Sequence, residues 1–275
     1  MNRTGSLYIE KTSFIHNLNG AVKLLLLICW TVFIFLFMDL RVFLSMIIIG
    51  FILLKMAQIP FKKIKTLIWF VVIFTIFNSI FLLLITPEYG SELAGTYNTF
   101  FEIGNLNITY ETLFFSLTLS LKYLSILPIT LLFLFTTHPS EFASSLNKIG
   151  IPYKVAYAVN IALRYIPDVT DEMKNIINAQ EARGVCFNKK DAGIFKRLKN
   201  YVTILIPLLI SSLNRVEIVS NAMDLRGFGR YKKRTWYHQK TFSIIDFLFL
   251  MISFGMIIVG IYLKNTLLKN FWYPF

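Results

Sequence analysis

The sequence predicts an all-α, polytopic membrane protein with about five spans and two long helices on the cytoplasmic side. Three observations carry this. Across 275 residues the hydrophobic share is 56% and the mean hydropathy is +0.61, above the ~45 to 50% apolar share of soluble domains. Apolar runs at 21–38, 42–54, 66–86, 112–135 and 242–263 mostly approach the ~20 residues that cross a bilayer. Between the fourth and fifth runs lie two long segments of helical apolar period, each closing on the pattern Asn, Ala, any residue, acid, apolar, Arg, Gly, apolar.

Residues 1–20 are polar and of mixed charge, without the apolar stretch of a cleavable signal peptide. The first run follows, and the second is short enough that its helix is expected to begin before Arg41. Lys55, Lys62, Lys63 and Lys65 flank the turn into the third run. The next loop, 87–111, has no Lys or Arg and carries Glu88, Glu92, Glu102 and Glu111. Because Lys and Arg concentrate in cytoplasmic loops, the lysine turn belongs inside and the acidic loop outside. The N-terminus is then cytoplasmic and the C-terminus, after five spans, extracellular, with Lys264 and Lys269 against the trend. Lys122 is the one basic residue deep in an apolar run, where burial in the bundle or snorkelling is expected. Asp246 near the inner end of the last span can reach the interface.

The chain thus divides into a membrane region at 1–135, a cytoplasmic region at 136–241, and a last span with a short tail at 242–275. The cytoplasmic region holds most of the Lys and Arg of a chain with net charge +13. It opens with Thr136-Thr137-His138-Pro139 and a short helix to Lys148, closed by Gly150 and Pro152. A helix from Tyr153 to Arg183 follows, with an apolar seam at Ala162, Ile166, Val169, Met173 and Ile176 and a kink expected at Pro167. A second runs from about Asn200 to Arg226 with a seam at Val202, Ile206, Leu209, Leu213, Val216 and Met223. Tyr201 to Leu213 is too short to cross a bilayer and too apolar for water, so it lies under the membrane or on the other helix. Seams of equal period suit packing against each other.

The repeated pattern occupies Asn178 to Val185 and Asn221 to Phe228. A Gly there can take the left-handed conformation that closes a helix, and the preceding Arg complements the negative end of the dipole. Two helices therefore each present one Arg at a tip, Arg183 and Arg226. The basic segment with Lys189, Lys190, Lys196, Arg197 and Lys199, and the cluster from Arg230 to Arg234, read as loops beside anionic lipid. Without a recognition module around them, they do not read as a nucleic-acid surface.

Other chemistries lack their patterns. The sequence has no Gly-x-x-x-x-Gly-Lys-[Ser/Thr] phosphate loop, no His-Glu-x-x-His and no Gly-x-Ser-x-Gly, and His16, His138 and His238 are isolated. Cys29 and Cys186 are far apart and on different levels of the topology. No catalytic residue, metal site or cofactor is expected in this chain.

With these residues in view, the chain resembles the transmembrane (T) component of energy-coupling factor transporters, a family that includes cobalt permeases. The resemblance is sharpest in Thr136-Thr137-His138-Pro139, in Ala162-Leu163-Arg164-Tyr165-Ile166-Pro167 with Asp171-Glu172, and in both Arg-Gly tips. Family members are similar in carrying two Ala-Arg-Gly signatures on two coupling helices, each docking into a groove of one cytoplasmic ATPase. Here the first is Ala182, Arg183, Gly184; the second departs to Leu225, Arg226, Gly227. Lys122 matches a basic residue of the fourth span, and the usual Leu-x-Pro-Arg-x-Lys-Leu is reduced to Leu18-Asn19-Gly20-Ala21-Val22-Lys23-Leu24.

The resemblance implies a scaffold in a prokaryotic cell membrane. It would join two ABC-type ATPases, which hold the ATP and Mg, to a small membrane protein that captures a vitamin or metal ion. The alternative is a conventional ABC permease lining its own pathway, which needs polar groups along several spans; Asn78 and Lys122 are the main ones here.

Overall fold

The computed structural model describes residues 8–11, 13–103, 106–185, 187, 194–231, 235–237, 240–266 and 272–274. The chain forms two compact units, one over Leu7–His138 with Lys240–Phe275 and the other over Pro139–Gln239.

The first unit opens with α1 (Phe14–Asn17), followed by α2 (Gly20–Leu36), α3 (Leu40–Met56) and α4 (Phe61–Ile85). The acidic loop forms α5 (Tyr89–Ala94) and a hairpin of β1 (Thr99–Ile103) with β2 (Leu106–Thr109), the small exception to an otherwise helical chain. Helix α6 (Tyr110–Thr136) then runs back through the unit. The five expected spans correspond to α2, α3, α4, α6 and, after the second unit, α10 (Ile244–Thr266). Helices α2 and α3 have 17 residues each, ~25 Å at 1.5 Å per residue, just short of the ~30 Å hydrocarbon layer.

Water does not drive helices together inside a bilayer, so close backbone approach and internal hydrogen bonds matter more. Helix α3 meets α6 at Gly50, where a Cβ would lie 2.6 Å from that of Pro128. Helix α2 joins α6 through Trp30, whose Nε1 donates to the Ser125 carbonyl at 3.1 Å. Lys122 is buried, its Nζ 3.8 Å from Met38 Sδ and 4.8 Å from the centre of the Phe35 ring. By contrast α4 shows Trp69, Phe70 and Phe77 on its surface, as a lipid-facing helix does.

One end of this unit is tied by a polar network around the reduced N-terminal motif. Asp246 is buried and accepts from the backbone N–H of Asn19 at 2.8 Å and of Ser243 at 2.9 Å. Asn19 caps α2 and its Nδ2 donates to the Lys240 carbonyl at 2.8 Å. Lys23, retained from the motif, is buried and donates to the carbonyls of His16 at 3.2 Å and Thr136 at 2.9 Å; Lys240 donates to the same His16 carbonyl at 2.8 Å. His16 Nε2 lies 3.0 Å from the Ile9 carbonyl, an acceptor, so Nε2 carries the proton and Nδ1 accepts from the Ser13 hydroxyl at 2.6 Å. Burial, then the charge of Lys23, holds the His16 pKa below its ordinary value.

The opposite end holds the acidic loop, and there the tail returns: the Arg41 guanidinium sits 3.6 Å over the Trp272 ring, which packs on Phe114. Glu111 is fully buried beneath the loop and accepts from Thr96 Oγ1 at 3.1 Å and the Asn98 N–H at 3.2 Å.

The second unit contains α7 (Pro139–Lys148), α8 (Tyr153–Ala182) and α9 (Ile194–Leu225). Helix α8 continues through Pro167 and α9 through Pro207. Helix α9 begins about six residues earlier than the sequence implied, and its stretch Asn200–Leu225 is long and apolar enough to cross a membrane, as are α4, α6 and α10. The expectation that its apolar part is too short to span is therefore corrected on length. Thr136 and Lys240, which flank the second unit in sequence, both bond around His16, and α8 carries Arg164, Asp168, Asp171, Glu172 and Lys174 along its length.

Candidate functional site

Both repeated patterns end their helices in the same way. At the first, the Val185 N–H bonds the Gln180 carbonyl at 3.0 Å and the Gly184 N–H bonds that of Glu181 at 2.9 Å. At the second, Phe228 bonds Met223 at 2.9 Å and Gly227 bonds Asp224 at 2.9 Å. These are the paired 6→1 and 5→2 bonds of a Schellman ending, which leave no room for another helical turn. The ending needs a left-handed residue, supplied by Gly184 at φ 84° and Gly227 at φ 66°. Arg183 and Arg226 are then the last residues before the reversal, and both are exposed. Ala182, Gly184 and Gly227 are exposed too, and Leu225 is 90% exposed.

Helices α8 and α9 are antiparallel. Phe228 beyond the end of α9 stacks on Tyr157 at 4.8 Å and Tyr153 at 5.7 Å, near the start of α8. Further along α8, Glu172 accepts from Arg215 Nη2 at 2.8 Å and from the Ser211 hydroxyl, while Arg215 also lies 5.5 Å over the Tyr165 ring. As α8 advances, its partners on α9 retreat, so the tips lie at opposite ends of the hairpin. Arg183 is 26 residues beyond the level of Tyr157, ~39 Å along α8 at 1.5 Å per residue.

The expected seams enter this contact only in part, at Val169 and Met223. Met173 is 40%, Leu209 61% and Leu213 67% exposed, and Ala162, Ile166, Val202 and Ile206 are exposed as well. The contact runs instead along Ile161, Tyr165, Val169 and Glu172 of α8 against Ser212, Arg215, Val219 and Met223 of α9. Polar residues at its centre break the apolar period, which hides it from a pattern search.

Two recesses open along this line. An apolar one of about 320 Å³ lies between Tyr165 and Val216. Another, of about 330 Å³, is lined by Tyr157, Arg164, Tyr165, Met223, Arg226 and Phe228 among others. No carboxylate lines it, and neither Arg164 nor Arg226 forms an ion pair among the described residues. A larger cavity of about 840 Å³ belongs to the first unit, between Tyr97, Tyr110, Phe114 and Tyr273. Among the described residues no three His, Cys, Asp or Glu side chains converge. Cys29 is buried, while Cys186, Lys189, Lys190, His238 and Lys269 fall outside the described residues.

Several contributors were not singled out from sequence. Phe228 was only the apolar eighth position of the pattern, and Glu172 only part of an acidic pair. Arg215 carried no signal of its own.

Residues 11–237 match the family model described as cobalt transport protein, CbiQ. The chain is similar to proteins named energy-coupling factor transporter transmembrane protein EcfT. That of Macrococcus caseolyticus is 28% identical over 94% of this chain and 97% of its own. The Leuconostoc gelidum relative is 30% identical over 78% and 80%, and that of Brevibacillus brevis 30% over 92% and 94%.

Proposed function

The chain belongs to the cobalt transport protein family, CbiQ, as a transmembrane component of an energy-coupling factor transporter, and from that membership we propose that it is the coupler of such an importer. It converts closure of two cytoplasmic ABC-type ATPases into reorientation of a small substrate-binding membrane protein that carries a vitamin or a metal ion. ATP and Mg are held by the ATPases; this chain performs no chemistry of its own.

The observation that carries the reading is the hairpin with one Arg at each end, ~39 Å apart along α8 and identically capped. A Schellman ending fixes the backbone at each tip, so Ala182, Arg183, Gly184 and Leu225, Arg226, Gly227 present a guanidinium from a defined stem. A guanidinium offers five donors in a planar fork that matches a carboxylate in two bonds. Motion imposed at either tip is carried through the Glu172–Arg215 clamp to the other helix. The apolar residues left bare along α9, Val202, Leu205, Leu209 and Leu213, supply a face for the membrane partner and for lipid.

The conventional permease reading fits less well. Between the polar ends around His16 and Glu111, the buried hydroxyls of Ser116, Thr118 and Ser125 on α6 are taken up by carbonyls of that same helix, which leaves Lys122 as the buried charge at mid-span.

Co-purification tests this: the full chain expressed with its genomic neighbours should retain two ATPase subunits and a small membrane protein. Retention of ATPases alone would favour the permease. Orientation is tested in intact cells, where Cys placed at Tyr97 should react with an impermeant thiol reagent and Cys at Lys190 should not; the reverse pattern would remove the tips from the ATPase side.

A further inference from the structure

The two tips end alike, and the recess at the second holds a further arginine. Arg226 shares its recess with Arg164, contributed by α8 from two turns above the Tyr157 on which Phe228 stacks. Tyr157, Ile161, Arg164 and Tyr165 fall on one face of α8 by their spacing of four, three and one. The Phe228 contact sets the end of α9 against that face, so Arg164 and Arg226 line one recess of about 330 Å³. Like charges held together repel unless an anion lies between them. Arg215, on the same two-helix contact, has its anion in Glu172 at 2.8 Å. In the Arg164–Arg226 recess no carboxylate of this chain is among the lining residues.

We infer that this recess is an acid-reading socket, in which Arg164 and Arg226 together grip carboxylate side chains of the ATPase that docks at the second tip. The inference rests on the ATPase-docking reading and adds Arg164 to it. Aromatic and apolar walls, Tyr157, Tyr165, Met223 and Phe228, displace water and strengthen the ion pairs formed there. Leu225 projects beside the socket at 90% exposure, so the matching surface must offer an apolar contact next to its acids. Arg164 therefore gives the second tip a demand for paired acids.

The test uses the intact transporter in detergent and in phosphatidylethanolamine/phosphatidylglycerol nanodiscs, measuring ATPase dissociation for R164A, R164K, R226A, R183A and their pairs. Arg164 is exposed, so these variants are expected to insert and melt as wild type does. R164A should weaken ATPase association roughly ten- to a hundredfold, the usual range for one charge-assisted hydrogen-bonded partner. R164K, which keeps charge without the fork, should fall between. R164A with R226A should cost less than the product of the single effects, whereas R164A with R183A should multiply, because only the first pair shares a ligand. Wild-type association for R164A beside a weakened R226A would overturn the socket and leave docking intact. Wild-type association for R164A, R226A and R183A alike would overturn the docking reading itself. If R164A instead released bound phosphatidylglycerol without changing ATPase affinity, the recess would be a lipid headgroup site and the inference would be wrong.

Discussion

The two tips carry the same pattern, the same cap and the same exposed Arg, yet their surroundings differ. Arg226 stands near the start of α8, with Phe228 against Tyr153 and Tyr157; Arg183 is followed by a Phe187 that lies 6.0 Å from Tyr201 of α9. An eight-residue pattern therefore specifies how a helix stops and which side chain crowns it. It does not specify what the crown stands next to.

The largest effect tests what the tips have in common. R183A with R226A should nearly abolish uptake while membrane insertion stays normal, and each single change should weaken ATPase association; losing one partner of a buried charge pair at an interface costs about 2 to 5 kcal/mol. Uptake and ATPase retention at wild-type levels in the double variant would end the coupling assignment.

Next comes Glu172→Ala, which strips Arg215 and Ser211 of their shared acceptor at the centre of the hairpin. Both partners are half-buried, so about 1 to 3 kcal/mol is the upper range and solvent lowers it. Pull-down should show both tips losing ATPase together. Loss at one tip only would show that the helices do not act as one lever.

A smaller loss is expected from Gly184→Val and Gly227→Val, which force a β-branched residue into left-handed φ at about 1 to 2 kcal/mol each. ATPase association should fall at the altered tip although its Arg remains, and Gly→Asn should be milder. Equal behaviour of Val and Asn would mean that the cap does not orient the Arg.

Phe228→Ala is the smallest and the most selective. Removing the stack on Tyr153 and Tyr157 should cost about 0.5 to 1.5 kcal/mol. Hydrogen exchange should quicken at the amides of 226–228 and stay unchanged at 183–185. Equal quickening at both sites would erase the difference between the tips.

The sequence located the helices of the first unit well, because bilayer-length apolar runs bounded by polar turns are a strong local signal. Its reading of the seams shows the limit. Met173 and Leu209 have the spacing of packed residues, but each lies on the outside of the hairpin. A stripe of period 3.6 says that a helix face is covered, by another helix, by lipid or by a partner, and periodicity does not distinguish these. The contact that does form is centred on Glu172, Ser211 and Arg215, whose polar character removed them from the search. Lys23 is a similar case: one surviving residue of a reduced motif binds two carbonyls 120 residues apart, at His16 and Thr136.

What the sequence determined alone was the membrane class, from apolar runs of bilayer length, and the Gly-closed tips, whose hydrogen bonds close within six residues, from Gln180 to Val185 and from Met223 to Phe228. Tertiary structure alone decided that α8 and α9 run antiparallel, that the tips lie far apart, and that Arg164 lines the same recess as Arg226 from 62 positions away. The reason is physical: a cap is satisfied by its own chain segment, whereas a shared recess exists only once two helices have chosen which faces to bury.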